Sequence, residues 1–225
     1  MKTILAVLAL TATSLVAQTT TGRVRVVHAS PDAPAVDVLV DGVKVLENLP
    51  FREYSEYIAV PAGPHDIRVN VTGTSTTVLQ ASPSVAAGAD YTAIAVGFAG
   101  GQSPALDLVL LADENTYPDE TGKIKLRVVH GAPSAPEVDV YVTTPFESLD
   151  NKTPLLTSVP FKAASGYYTV PVSLYQARVA VAGTKTIAID SHRLVTWSGM
   201  VRTVVAVDNK GGGAPFDFII LPDLN

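Results

Sequence analysis

The residues best equipped for chemistry stand in two matching stretches, VRVVHASPDAPAVDVLV (24–40) and LRVVHGAPSAPEVDVYV (126–142). The first carries His28, Pro31, Pro34 and Asp37, and the second carries His130, Pro133, Pro136 and Asp139. The first also has Asp32. Imidazole and carboxylate together supply metal ligands and proton acceptors, so His28, Asp32 and Asp37 could hold a cation or run a hydrolysis. Two observations weigh against that chemistry. Ser134 stands in the second stretch where Asp32 stands in the first. No activated nucleophile accompanies the histidines either: the chain has no cysteine, no G-x-S-x-G and no H-E-x-x-H. The other histidines, His65 and His192, fall at unmatched places.

Strand periodicity offers a structural reading of the same residues. Neighbours in an extended strand point to opposite faces. Arg23 and Arg25 then oppose Val24, Val26 and His28, while Lys123, Lys125 and Arg127 oppose Ile124, Leu126, Val128 and His130. Each histidine lands on the apolar face where the strand ends. A neutral imidazole there can satisfy backbone groups left unpaired by a proline-rich turn. The prolines fix the direction of the chain into the next strand. The expectation is a structural corner used twice, with no catalytic residue, no metal ligand and no cofactor. Asp37 and Asp139 are expected to pair with Arg25 and Arg127 across neighbouring strands. Asp107 and Asp217 read as edge markers in the last strands. The acidic run DENTYPDE (113–120) reads as solvated linker, with a weak Ca²⁺ site as the alternative.

The elements that position these residues are strands. The 225 residues are 47% apolar and 16% charged, with 16 Gly and 16 Pro, and no long helical periodicity is present. In the first unit the pattern predicts strands at 23–28, 35–40, 43–46, 55–60, 65–71, 76–81, 90–97 and 106–111. The pattern then repeats. NLPFREYSEYIAVPAGPHDIRV (48–69) matches SVPFKAASGYYTVPVSLYQARV (158–179), and ALDLVLLAD (105–113) matches PFDFIILPD (215–223). An insertion near TTPFESLDNKTP (143–154) lengthens the second unit. The fold class expected is all-β, as two tandem immunoglobulin/transthyretin-like β-sandwich domains at 22–113 and 123–223, joined by a linker at 114–122.

Residues 1–17 read as a secretory signal peptide, with Lys2 before an apolar stretch from Ile4 to Leu10 and cleavage after Ala17. No other segment looks transmembrane. The net charge of −5, with no Lys/Arg cluster, argues against nucleic acid as a partner. Absence of cysteine excludes disulfides, thiolate catalysis and a lipidated cysteine anchor.

The opening RVVHASPDAPAVDVLVDG, the following F…Y…VPAG…V and the late strand from Tyr91 to Gly97 resemble the domain-of-unknown-function 4397 family. The second copy departs from the pattern at Ser134, at Val172-Ser173 and at Arg202, which replaces Tyr91. The resemblance implies an exported β-sandwich protein of the cell envelope, often in tandem copies. It implies no established activity and supplies no catalytic residue.

The function expected is therefore that of an exported, non-enzymatic envelope protein, secreted or held at the cell surface or in the periplasm. It is a structural or recognition module whose partner is an envelope protein or a carbohydrate. The alternatives are a metal-dependent or hydrolytic enzyme using His28, Asp32 and Asp37, and a Ca²⁺-responsive assembly subunit. Tyr54, Tyr175 and the single tryptophan, Trp197, are the candidate surface-binding residues, since aromatics favour interfaces. An exposed Trp197 points to a site confined to the second unit. The dissimilar loops at 98–104, 143–157 and 208–214 are the other places where recognition is expected.

Overall fold

The structure, a computed structural model, describes residues 20–223. The expected signal peptide, 1–17, lies outside the described residues. Every helix or strand element described is a strand. The first half contributes β1 (Thr21–His28), β2 (Val36–Val40), β3 (Val43–Leu49), β4 (Ile58–Pro61), β5 (Gly63–Pro64), β6 (Ile67–Val71), β7 (Thr77–Ala81), β8 (Ser84–Val85), β9 (Asp90–Val96) and β10 (Asp107–Asp113). The second half contributes β11 (Lys123–His130), β12 (Val138–Thr143), β13 (Leu156–Val159), β14 (Tyr168–Pro171), β15 (Leu174–Val181), β16 (Ile187–Asp190), β17 (Leu194–Val195), β18 (Val201–Val207) and β19 (Asp217–Pro222).

The fold is all-β and layered as sandwiches. The first half folds into sheets β10-β9-β1-β4 and β3-β2-β6-β7, and the second into β14-β11-β18-β19 and β13-β12-β15-β16. In each half the first strand joins its sheet in parallel, β1 beside β9 and β11 beside β18, while the other pairings are antiparallel. The tight hairpin from β2 to β3 turns at Asp41 and Gly42, whose φ angles of 51° and 80° match the primed turn that such hairpins favour.

Alternation fills the interior of each sandwich. Val36, Val38, Val69 and Leu79 meet Ala95, with Val26 and Leu108 packed against them. In the second half Val138, Val140, Val179 and Ile189 meet Ala206, with Val128 and Phe218 alongside. Burying each such side chain contributes about 1.5–3 kcal/mol.

The opposite faces of β1 and β11 are not turned to water. A further core joins the two halves: Val27, Ala29, Ile94 and Val96 pack with Val129, Val205, Val207, Ile219 and Leu221. Arg25 and Arg127 lie in that seam and are 1% and 3% exposed. They do not pair with Asp37 and Asp139. Arg25 bonds Asp223 through Nη2 and the Pro222 carbonyl through Nη1, at 2.6 Å. Arg127 bonds Asp113 through Nη2 and the Ala112 carbonyl through Nη1, at 2.8 Å.

Two threonines close these pairs into a ring. Arg25 Nε donates to Thr92 Oγ1 at 2.9 Å, and Thr92 donates to Asp113 at 2.7 Å. Arg127 Nε donates to Thr203 Oγ1 at 2.9 Å, and Thr203 donates to Asp223 at 2.7 Å. The ring runs Arg25, Thr92, Asp113, Arg127, Thr203, Asp223 and back to Arg25. Tyr57 and Tyr167 cap it by donating to Asp113 and Asp223 at 2.7 and 2.9 Å. Burial pushes both phenols well above the usual tyrosine range.

Asp107 and Asp217 likewise act across the seam rather than as edge markers. Lys162 reaches Asp107 at 2.5 Å and Arg52 reaches Asp217 at 3.0 Å. Asp113 therefore belongs to a buried ion pair and not to the solvated acidic run.

Candidate ligand-binding site

The corner residues have short-range partners. His28 is 1% exposed, its Nε2 lies 3.0 Å from the Pro34 carbonyl, and its ring meets Phe51 edge-on at 6.1 Å. His130 repeats this with Pro136 at 3.0 Å and Phe161 at 6.2 Å. Pro31 and Pro133 sit on the turns so formed, and the Pro31 carbonyl accepts from Gly211 N at 2.8 Å.

Asp37 accepts from Asn48 N at 2.9 Å and meets Lys44 Nζ at 2.8 Å. The Lys44 contact, then the Asn48 amide, hold its carboxyl down at about 2. Asp139 accepts from Ser158 N at 2.8 Å and Gly183 N at 2.9 Å. Asp32 accepts from the amides of Ala99 and Gly100, both at 2.8 Å. His28, Asp32 and Asp37 thus serve three different stretches of backbone.

The absence of Asp32 from the second copy has a structural counterpart. There Asp208, fully buried, reaches the other way and accepts from Ser134 N at 3.2 Å and Gly213 N at 3.0 Å. The carboxylate that ties corner to loop has moved from the corner to the loop. The loops at 98–104 and 208–214 are accordingly tied to the corners, and Arg52 also donates to the Asp208 carbonyl across the seam at 2.8 Å.

Burial holds the His28 and His130 imidazoles below the usual histidine range, against the smaller opposing pull of the proline carbonyls. A histidine kept neutral by the fold stabilises above its unfolded pKa of about 6.5, and that stability drains away as pH falls towards the lower folded value. Thermal melts between about pH 7 and pH 5 should show this loss, and H28Q/H130Q should flatten it. His65 acts with the opposite sign. Bonding to Asp41 raises its pKa, so its stabilisation is full at low pH and fades as pH rises. An unchanged slope in the double variant would refute the assignment.

The three aromatic candidates separate. Tyr54, half-buried, packs against the seam core, and its backbone bridges Val27, so it stands apart from the other two. Trp197 and Tyr175 come together at one apolar cavity of about 240 Å³ in the second half, which reaches inward to Leu126, Val179 and Phe218. Trp197 is 59% exposed at its mouth. The matching space in the first half, behind Val26, Val38 and Leu108, is about 40 Å³.

Two replacements in one register account for the difference. In the first half Gly63 pairs with Val85 and Pro64 with Ser84, and Val85 turns inward, 4% exposed. In the second half Leu174 pairs with Val195 and Tyr175 with Leu194. Counted back from Arg202, which stands at the place of Tyr91, Val195 matches Ser84 and Thr196 matches Val85, so the register of the repeat is kept. Val195 is turned out, 70% exposed, as Ser84 is, and Thr196, at the place of Val85, lines the cavity with its hydroxyl bonded to the Ser173 carbonyl at 2.8 Å.

Gly22 makes room for Val85. A Cβ there would fall on the Val85 side chain and 2.6 Å from the Ala86 carbonyl oxygen. Ile124, fully buried, stands at the matching place in β11 and fills that room. His65, bonded to the Pro61 carbonyl at 2.7 Å, helps close the first interior. Tyr175 holds the matching carbonyl, Pro171, at 2.7 Å.

A family model described as a domain of unknown function, DUF4397, matches residues 22–141. The chain belongs to this family. The DUF4397 match takes in the first corner, the first sandwich and β11 with most of β12, and stops before the departures at Val172-Ser173 and Arg202 that accompany the cavity. No curated protein matches the chain.

Among solved structures, the Bacillus anthracis TIE protein is similar at 11% identity and a TM-score of 0.26, over 85% of this chain and 34% of that one. The chain thus spans about a third of that protein's length. A streptococcal virulence factor described for α-glucan binding is similar at 10% identity and a TM-score of 0.27, over 82% and 93%. The family 26 carbohydrate-binding module CBMbc from Eubacterium rectale Amy13K, solved with maltoheptaose, is similar at 10% identity and a TM-score of 0.27, over 91% and 98%. Likeness at this level bears on neither site nor ligand.

Proposed function

We propose that this DUF4397 protein is an exported, non-enzymatic binding module of the cell envelope. It is built as two sandwich domains, 22–113 and 123–223, joined at 114–122. One observation carries the reading: two closely related interiors differ in that the first is filled and the second is hollow, with Trp197 and Tyr175 at its mouth. Pockets that take ligands are concave, mostly apolar and furnished with a few polar groups. The first domain and the ring across the seam supply rigidity, and the second domain supplies the site. The His28 and His130 corners direct the chain from one strand to the next. Asp32 and Asp37 are structural acceptors rather than a catalytic pair.

Retention on fractionated envelope material and on glycan panels tests this reading. The wild-type protein should be retained on an envelope fraction, and W197A should lower retention about tenfold, as loss of an aromatic anchor does. No retention on any fraction would overturn the reading.

A further inference from the structure

The hollow second interior narrows the chemistry of its ligand. Its wall is hydrocarbon: Leu126, Val128, Val142, Val204, Phe218 and Ile220 contribute no side-chain polar atom. A sugar buried there would leave its hydroxyls unpaired, at a cost of about 1–3 kcal/mol each. Most of the polar side chains that line it are already occupied. Tyr175 Oη donates to the Pro171 carbonyl, Thr196 Oγ1 donates to the Ser173 carbonyl and accepts from Ser173 N, and Ser191 Oγ accepts from Ala177 N.

Arg202 is the exception. Of its five donors, the hydrogen bond shown is that of Nη1 to its neighbour's carbonyl, Val201 O, at 2.8 Å. No carboxylate forms a salt bridge with it among the described residues. Its guanidinium lies 5.7 Å from the Trp197 ring, an arrangement that holds the cation at the mouth. Arg202 also stands where the first half has Tyr91, so cation and cavity occur together in the half that is hollow.

We infer that the second domain binds a single-chain amphiphile, with its hydrocarbon tail in the cavity and an anionic head, carboxylate or phosphate, on Arg202. The inference rests on the reading of this cavity as the binding site. A cavity of about 150 Å³ takes benzene, so 240 Å³ scales to a tail of roughly ten carbons. Arg202 offers a fork of N–H donors that suits either anion.

Trp197 is the only tryptophan and reports from the mouth, so its fluorescence reads binding directly. The full chain is titrated with decanoate, decyl phosphate, decanol and decyltrimethylammonium, all below micelle formation, with acetate and inorganic phosphate as tail-less controls. Decanoate and decyl phosphate should each give a saturable change. Decanol should bind about fivefold more weakly, the discrimination expected of a partly exposed charge pair. The cationic amphiphile and the tail-less anions should give none. The ratio of decanoate to decyl phosphate affinity shows which head the site prefers.

R202Q should bring decanoate down to decanol, and A177F, which fills the cavity from β15, should abolish both. Thermal melts establish that each variant is folded, and W197F followed by ligand-induced thermal shift replaces the optical readout. No saturable response to any amphiphile overturns the inference, as does equal response to anionic and cationic heads. Envelope retention of A177F separates the two readings. If A177F is still retained while wild type binds no amphiphile, the protein is a binding module that works through another surface. If neither is retained, the binding reading falls as well.

Discussion

Arg25→Met is expected to destabilise the protein by about 3–5 kcal/mol, because it strands the Asp223 carboxylate in the seam without its cation. Asp223 is 1% exposed, so water cannot replace the guanidinium. The same substitution removes the donors to Thr92 Oγ1 and Pro222 O and the stacking of Arg25 over Tyr57 at 5.0 Å. Arg127→Met should cost a similar amount, since its contacts repeat those of Arg25. Urea unfolding measures both. Arg23 is the control two residues away on the same strand. It pairs with Asp90 at 2.6 Å, but its side chain is 54% exposed, so R23Q should cost less than about 1 kcal/mol. R25M/D223L should recover part of the loss and not all of it, because Tyr167 and Thr203 then lose their shared acceptor. A loss below about 1 kcal/mol for R25M would show that the ring contributes no more than a surface pair.

Cutting the chain within 114–122 and producing either half alone should yield a species that does not persist as a folded monomer. Each half would expose one side of the shared core: Val27, Ile94 and Val96 in the first, Val129, Val205 and Leu221 in the second. Contiguous apolar faces of this kind drive association. Light scattering after size exclusion should find oligomers or aggregate for each half alone. Mixing the halves should restore a one-to-one complex. A monomeric first half with a cooperative melt would show that the seam is dispensable.

Much of the all-β pattern was legible in the sequence, because each sandwich interior imposes a period of two. The strands predicted at 23–28 and 43–46 fall within those observed at Thr21–His28 and Val43–Leu49, and that at 106–111 overlaps Asp107–Asp113. The two-residue strands Gly63–Pro64 and Ser84–Val85 were not legible, because two residues carry no period.

Alternation placed Arg25 and Arg127 on the face away from the sandwich interior, but a strand pattern does not say what covers that face. Hence the arginines were assigned to Asp37 and Asp139 on nearby strands when their partners lie at Asp223 and Asp113. A signal was present. Both arginines and both distant aspartates recur at matched places in the two copies, and the aspartates close apolar strands. Charges repeated at both ends of apolar strands are better read as partners than as edge markers.

The cavity had no such signal. It depends on Thr196 standing where Val85 stands and on Ile124 standing where Gly22 stands. Trp197 and Tyr175 stand out in the sequence as aromatics, yet only the pairing of β15 with β17 brings them to one mouth.

The ring at the seam partitions mutational freedom. A change at Arg25, Thr92 or Asp113 is felt by both halves, because the ring they belong to crosses the seam at Arg25–Asp223 and at Asp113–Arg127. A change behind β8 or β17 is felt by one half alone. Such a chain can hold its common joint constant while one copy gives up packing to gain an opening. The core shared across the seam ties the hollow copy to the filled one.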